Sequence, residues 1–371
     1  MYLTLMVKLL PDAEQRKTLI DTMHRFNKAC DFASVIAFRD SVFSKVALQQ
    51  IVYCDIRREF GLPAQLAIRA ISRVVESYRA DDTHLHHFRE DSAVVYDQRI
   101  LSFKGIDRVS MNTCSGRIKV PVIMGDYQKQ RFERVKGQAD LVRKGDDFYL
   151  AVVVDVPEAP QYTHTEVIGV DMGIENVATA STGVNHTGAK VKEVRRKHGE
   201  LRKNLQSAGT RSAHRHLVKL SGRESRFMRD VNHVISKQLV ADAKGTSSAI
   251  AVEELNGIRK RTTVRKAQRR DHSSWAFGQL RQFIEYKAAL AGVPFLAVDP
   301  RNTSRECPVC HHIDKKNRPT RDNFRCVSCG LAGPADYIAS LNIRSRAAVN
   351  QPIERDVILD HLVPPCSSLP F

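Results

Sequence analysis

The sequence predicts a multidomain α+β protein: a helical bundle inserted in a small antiparallel β-barrel, then an α/β domain that carries an inserted zinc ribbon. Three observations carry that expectation. Apolar residues recur at helical spacing between residues 11 and 90, and at a spacing of two from about 91 to 155. From Glu166 onward, strand patterns and helix patterns are mixed. Finally, Cys307-x-x-Cys310 and Cys326-x-x-Cys329 stand 15 residues apart, the spacing of a four-thiolate zinc site.

Bulk properties set the class. A chain of 371 residues can hold two or three separate cores. With 58 Lys and Arg against 41 Asp and Glu, a net charge of +17, nucleic acid is the expected partner. No stretch approaches the ~18 apolar residues of a membrane span, so no membrane partner is expected, and MYLTLMVKLLPD reads as a first strand rather than a signal peptide. Four of the eight cysteines belong to the zinc motif. Cys30, Cys54, Cys114 and Cys366 are scattered, which suits free thiols in a reducing, cytoplasmic and nucleoid-associated setting.

Taken in order, residues 2 to 9 read as a strand. Asp12 is a candidate N-cap for a helix with Leu19, Met23, Phe26 and Cys30 on one face. A second stripe runs through Leu48, Ile51, Val52 and Ile56 and stops at Gly61; a third begins near Pro63 with Leu66, Ala70, Val74 and Tyr78. His84, His86 and His87 read as a solvated linker rather than a metal site. Short strands follow at Val94 to Tyr96, Ile100 to Phe103, Val109 to Met111 and Ile118 to Val122, with a hairpin across Lys144 to Asp147. Beyond Glu166, strands are expected at Val167 to Gly173, Asn176 to Ser181 and Ala189 to Val194, and basic helices near 198–220 and 223–244. A strand at 249–255, a helix near 273–291 with Trp275, and a strand at Val293 to Val298 follow. That order is the order of the ribonuclease H-like fold, with the cysteine knuckles between its last strand and last helix.

Acids stand beside apolar patterns at three places. Asp171 ends the strand in VIGVDMGIENVATAS, Glu253 and Glu254 end the one in SAIAVEEL, and Asp336 opens a helix beyond Gly333-Pro334. Asp336 by itself reads as a helix cap. Carboxylates at the ends of buried strands carry a desolvation cost that a partner or a metal offsets. Oxygen-only ligands suit Mg²⁺, and a pair of such ions is the means by which a carboxylate cluster hydrolyses phosphodiesters. A strand alternates faces, so one of Glu253 and Glu254 points at Asp171. Four thiolates leave no open position, so the zinc is structural. Candidate phosphate contacts are Arg259, Lys260, Arg261, Arg265, Lys266, Arg269 and Arg270, seven basic residues in twelve without an acid. Basic residues also interleave from Arg195 to Arg229.

The order GVDMG, AVEEL, C-x-x-C…C-x-x-C and DYIASLNI resembles TnpB, the transposon-associated RNA-guided DNA endonuclease family related to type V CRISPR effectors. The resemblance extends to LLPDAEQRKTLIDTMHRFNKACDFAS and LPAQLAIRAISRVVESYR, and so covers nearly the whole chain. It implies a β-barrel (wedge-like) domain at 1–10 and 91–165, a helical recognition bundle at 11–90, a RuvC-like nuclease domain at 166–300 and 332–350 and a zinc ribbon at 301–331; residues 351–371, without periodicity, read as a mobile tail. It further implies a Mg-dependent endodeoxyribonuclease, with guide RNA and a target DNA duplex as partners. Two catalytic Mg ions would be held by Asp171, Glu253 and Asp336, the family pattern selecting Glu253 over Glu254, and one structural Zn by Cys307, Cys310, Cys326 and Cys329. A homodimer is left open. In one respect the chain departs from the family: Ile338 stands where an asparagine is usual, so Asp336 is expected to lack an amide partner. Two other readings share these features, a guided DNA-binding repressor with weakened or no nuclease activity and a transposase performing strand transfer.

Overall fold

A computed structural model describes residues 1–254 and 277–349. The segment Arg259 to Arg270, Trp275, Cys366 and the tail from 351 lie outside the described residues. The chain divides into two compact units, Met1–Pro157 and Glu158–Phe371.

The first unit is a sheet with helices inserted after its first strand. β1 (Tyr2–Leu9) is followed by α1 (Ala13–Arg39), α2 (Lys45–Phe60) and α3 (Ala64–Ala80). Asp12 caps α1 by accepting from Gln15 N at 2.8 Å while the Gln15 side chain accepts from Asp12 N, and Gly61, at φ 63°, ends α2. The chain then returns as β2 (Val94–Asp97), β3 (Leu101–Lys104), β4 (Arg108–Thr113), β5 (Gly116–Ile123), a short helix α4 (Asp126–Lys129), β6 (Val135–Lys144) and β7 (Asp147–Asp155). The antiparallel order is β2-β6-β7-β1-β5-β4-β3, a nearly closed sheet whose two end strands are consecutive in sequence. One core joins sheet and helices, with Leu5, Val7, Phe148 and Val152 in the same buried cluster as Leu19, Phe26, Val52 and Val74. His86 packs edge-on against Tyr78 at 4.7 Å, and His84 pairs with Asp81. These contacts employ the histidines structurally. Cys30, Cys54 and Cys114 are free thiols.

In the second unit the described strands form a five-stranded mixed sheet, order β10-β9-β8-β11-β12. These are β8 (Val167–Asp171), β9 (Asn176–Ala180), β10 (Asn185–Thr187), β11 (Ala249–Glu253) and β12 (Phe295–Val298). β8, β11 and β12 are parallel; β9 and β10 run antiparallel at one edge. Their helices are α5 (Ala189–Ala208), α6 (Arg211–Gly245), α7 (Phe277–Ala291) and α8 (Ala335–Val349). α6 and α7 cover one face through Ile235, Leu239, Leu280 and Ile284, while α8 covers the other through Ile343 and Ala347. Two short strands, β13 (Asn323–Arg325) and β14 (Ala332–Pro334), belong to the cysteine-rich segment. Among the described residues no helix is long and apolar enough to cross a membrane.

Two expectations are corrected. The third strand lies at Asn185–Thr187, and residues 189–194 open α5. Ala-Lys-Val-Lys-Glu-Val satisfies a period of two and of 3.6, and burial of Val191 and Arg195, four apart, decides for the helix. The break between the basic helices falls at residues 209–210 rather than near 221. Gly209, at φ 61°, ends α5, and Thr210 caps α6 by accepting from Ala213 N at 3.1 Å.

Candidate active site

Strand pairing brings the first two acids together. β8 and β11 are adjacent and parallel with Val170 opposite Val252, so the next residues, Asp171 and Glu253, end the two strands side by side. In open parallel sheets this carboxyl end is where ligands bind. The third acid comes from the first turn of α8, which lies directly on β8. Gly169 permits that approach, because a Cβ there would run into Ser340 O and Arg344 N of α8. A Cβ on Gly173 would lie 2.8 Å from Asn176 O and 4.0 Å from Asp336 Oδ2, so the turn after Asp171 and the start of α8 share one crowded corner.

The electrostatics follow from this crowding. Burial, then the charges of Glu253 and Asp336, push the Asp171 carboxyl up to about 8, against Arg318 and the Met172 N–H. Burial also raises Glu253, opposed by the Thr303 hydroxyl and by Arg346. Thr303 Oγ1 donates to Glu253 Oε1, and Thr303 itself is buried. Glu254 points elsewhere: it accepts from Arg281 Nη2 of α7 at 2.6 Å. Asp336 has two donors. Arg318 Nη2 reaches Oδ1 at 3.2 Å from the loop between the cysteine knuckles, and Asn176 Nδ2 reaches Oδ2 at 2.9 Å from the start of β9. Beside Asp336 opens a cavity of about 410 Å³ lined by Glu175, Asn176, Thr187, Lys192 and Asp322. Glu175 there bonds both Lys192 and Arg321.

The four thiols form the tightest cluster. Cys307 Sγ lies 3.5 Å from Cys329 Sγ and Cys310 Sγ 3.5 Å from Cys326 Sγ, and all four fall within 4.8 Å of one another. A tetrahedral zinc with bonds of about 2.3 Å needs sulfur separations of about 3.8 Å, so the donor set and its size fit that ion. Each knuckle turns alike, with His311 N donating to Cys307 O at 2.9 Å and Gly330 N to Cys326 O at 3.0 Å. The Cys329 N–H helps hold the Cys326 thiol down, to about 6. Among the described residues this is the one group of three or more His, Cys, Asp or Glu side chains gathered so tightly.

Sequence reasoning missed Asn176, Arg318 and Thr303. It also expected Ile338 to leave Asp336 without an amide. That expectation is corrected: Asn176 supplies the amide, and Ile338 is buried against Cys307, Phe324, Cys326 and Ala335. Residues two apart on a helix do not share a face, so position 338 serves the cysteine-rich segment.

Taken together, a nearly closed antiparallel sheet with inserted helices, an acid-bearing mixed sheet and a four-cysteine cluster define a Cas12f-like multidomain α+β protein. Residues 151–262 match the family described as "Probable transposase" (OrfB_IS605), and residues 277–343 match "Cas12f1-like, TNB domain". A TnpB-like protein of Methanocaldococcus jannaschii is 26% identical over 262 residues, covering 66% of this chain and 92% of that protein. The CRISPR-associated endodeoxyribonuclease Cas12f1 of Sulfoacidibacillus thermotolerans is 26% identical over 242 residues, covering 60% of this chain and 54% of the relative. The match thus spans about half of that Cas12f1 and most of the TnpB-like protein. A cryo-EM structure of a Cas12f1–sgRNA–target DNA complex shares the fold, with a TM-score of 0.63 at 13% identity, over 90% of this chain and 83% of that one. The chain is a relative of the TnpB and Cas12f proteins.

Proposed function

We propose that the protein is an RNA-guided, metal-dependent DNA endonuclease of the TnpB kind, with Asp171, Glu253 and Asp336 as its catalytic carboxylates in a RuvC-like, ribonuclease H-like domain. The observation that carries the reading is geometric: parallel pairing sets Asp171 and Glu253 side by side at the carboxyl end of the sheet, and the first turn of α8 brings Asp336 close enough for its charge, with that of Glu253 and burial, to raise the Asp171 carboxyl, a cost that a bound cation would offset. Oxygen-only donors fit Mg²⁺. Two bound ions would supply a nucleophilic water at neutral pH and neutralise charge on the leaving oxygen. The chain's own residues do the rest. Asp171, which feels the charge of both other acids, would be a ligand together with each of them; Thr303 orients Glu253, and Asn176 and Arg318 orient Asp336. The Cys307, Cys310, Cys326 and Cys329 cluster would hold one structural Zn, as its donor set and spacing support.

Guide RNA and target DNA are the proposed partners, in line with the names of the relatives. Charge within the Arg195 to Arg229 stretch supports this reading. On α6, Arg211, Arg215, Lys219, Arg223 and Arg226 are exposed at spacings of four, four, four and three, one face of the helix. No acid pairs with any of the five among the described residues, so the face is open to phosphates.

Cleavage of a guide-matched duplex by purified protein–RNA complex, with and without Mg²⁺, tests the reading. Asp171→Ala, Glu253→Ala and Asp336→Ala should each abolish cleavage while leaving target binding intact, and the triple variant should be no worse, as expected of ligands acting as a unit. Glu254→Ala should retain most activity, because that side chain engages Arg281. Wild-type protein that binds target yet never cuts in Mg²⁺ or Mn²⁺ would replace this reading with the repressor.

A further inference from the structure

Asp336 is tied to the edge of the sheet by a chain of three side chains. Thr179 Oγ1 donates to Asn185 Oδ1 at 3.2 Å, Asn185 Nδ2 donates to Asn176 Oδ1 at 3.0 Å, and Asn176 Nδ2 donates to Asp336 Oδ2 at 2.9 Å. Direction is fixed from the Asp336 end. An ionised carboxylate only accepts, so Asn176 must present its NH₂ to Asp336 and its carbonyl to Asn185. The backbone places the three together: Asn176 and Thr179 lie on β9, Asn185 is opposite Thr179 on β10, and an irregularity between His186 and Thr187 shifts the pairing so that Thr187 lies opposite Asn176.

We infer that Asn176 is a positioning residue for Asp336, and that the Thr179–Asn185–Asn176 relay fixes which carboxylate oxygen is left to face a divalent cation. With Oδ2 committed to Asn176, Oδ1 is the oxygen left for a cation, since its one contact, from Arg318 at 3.2 Å, uses only one of its two lone-pair sites. Asp336 would therefore offer a cation one oxygen, Oδ1, in a set orientation. Like donors in a row polarise one another, so the amide at the end of the chain is a better donor than a lone asparagine. This explains how the site tolerates Ile338: the amide arrives from β9, across the chain, instead of from α8.

The inference rests on the proposed nuclease reading, and the experiment separates the two. Mn²⁺ binding to the full chain is measured by calorimetry, together with the Mg²⁺ concentration for half-maximal cleavage and the melting temperature without added divalent cation. Asn176→Ala should raise both metal requirements about tenfold or more, the usual effect of losing a partner that orients a ligand. Asn185→Ala keeps the direct donor and frees the Asn176 carbonyl, so it should give a smaller rise. Melting temperature and target binding should stay near wild type in Asn185→Ala, which separates positioning from general structural support and carries the test if Asn176→Ala fails to fold. Unchanged Mn²⁺ affinity in Asn176→Ala, or in Asn185→Ala if the former does not fold, overturns the relay, given wild-type binding that Asp171→Ala abolishes. If wild type shows no Asp171-dependent Mn²⁺ binding, the nuclease reading itself fails.

Discussion

Removing the charge from Asp171 should stabilise the protein in the absence of magnesium, and the size of the gain should track pH. The unfolded chain releases the Asp171 proton near 3.8, whereas burial and the charges of Glu253 and Asp336 hold it to about 8 in the fold. Between those values the unfolded state is the one that gains from ionisation, so wild-type stability falls as pH rises, by up to about 1.4 kcal/mol per pH unit. At pH 7 the accumulated loss is at most about 4 kcal/mol; partial exposure of the residue lowers this to roughly 2–4 kcal/mol. Asp171→Asn keeps the shape and cannot ionise. Its melting temperature should match wild type near pH 4 and exceed it at pH 7 by about 5–15 °C, given ~2–4 °C per kcal/mol for a unit of this size. Above pH 8 the gap should stop widening. The buffer must contain neither magnesium nor a strong chelator, which would strip the thiolate cluster. Saturating Mg²⁺ should raise the melting temperature of wild type and leave the variant nearly unmoved. A gap that stays constant from pH 5 to 8 would refute the claim that the three acids load one another.

Two further outcomes follow from the same side chains. Ile338→Asn should harm rather than help: it buries an amide among Phe324, Cys307 and Cys326, so the cysteine-rich segment should lose about 2–4 kcal/mol and release zinc at lower chelator concentration, read with a zinc indicator. Replacing Arg215, Lys219 and Arg223 by alanine should reduce the slope of log affinity for RNA against log salt by about 2, at ~0.7 for each phosphate no longer neutralised; an unchanged slope would mark α6 as a solvated face.

What could be seen in the sequence and what could not has a physical pattern. Asp171 and Glu253 were visible because an apolar strand that stops on an acid breaks a strong local rule, and parallel pairing turns two such breaks into one site. The cysteine knuckles were visible because their spacing is local. Asn176 and Arg318 were not, since an asparagine opening a strand and an arginine in a polar loop are ordinary in their own neighbourhoods. They acquire a role only when the chain closes over 160 residues in one case and meets the opening turn of α8 in the other. Position 338 misled for a related reason. A substitution within a motif reads as a loss at the motif, whereas the side chain packs toward the knuckles and the missing donor is supplied by a distant strand.

The same closure changes what zinc removal should do. As a self-contained insertion, the cysteine-rich segment should loosen alone when its metal is withdrawn, because metal binding is folding energy for so small a core. Yet that segment supplies Arg318 to Asp336, and its core includes Ile338 and Ala335 from the first turn of α8. On the other side Asn342 of α8 donates to Thr303 O and Glu306 O, both at 2.7 Å, which ties the residues leading into Cys307 to the hydroxyl that holds Glu253. Two of the three carboxylates thus lean on structure that the thiolates organise. Zinc-stripped protein should keep the helices and sheets of both units, seen as a largely unchanged far-ultraviolet circular dichroism spectrum, but need about tenfold or more Mn²⁺ to half-saturate, with re-added Zn²⁺ restoring the affinity. If stripped protein binds Mn²⁺ as tightly as the native form, Arg318 and Thr303 hold their places without the ribbon, and the two metal sites are independent.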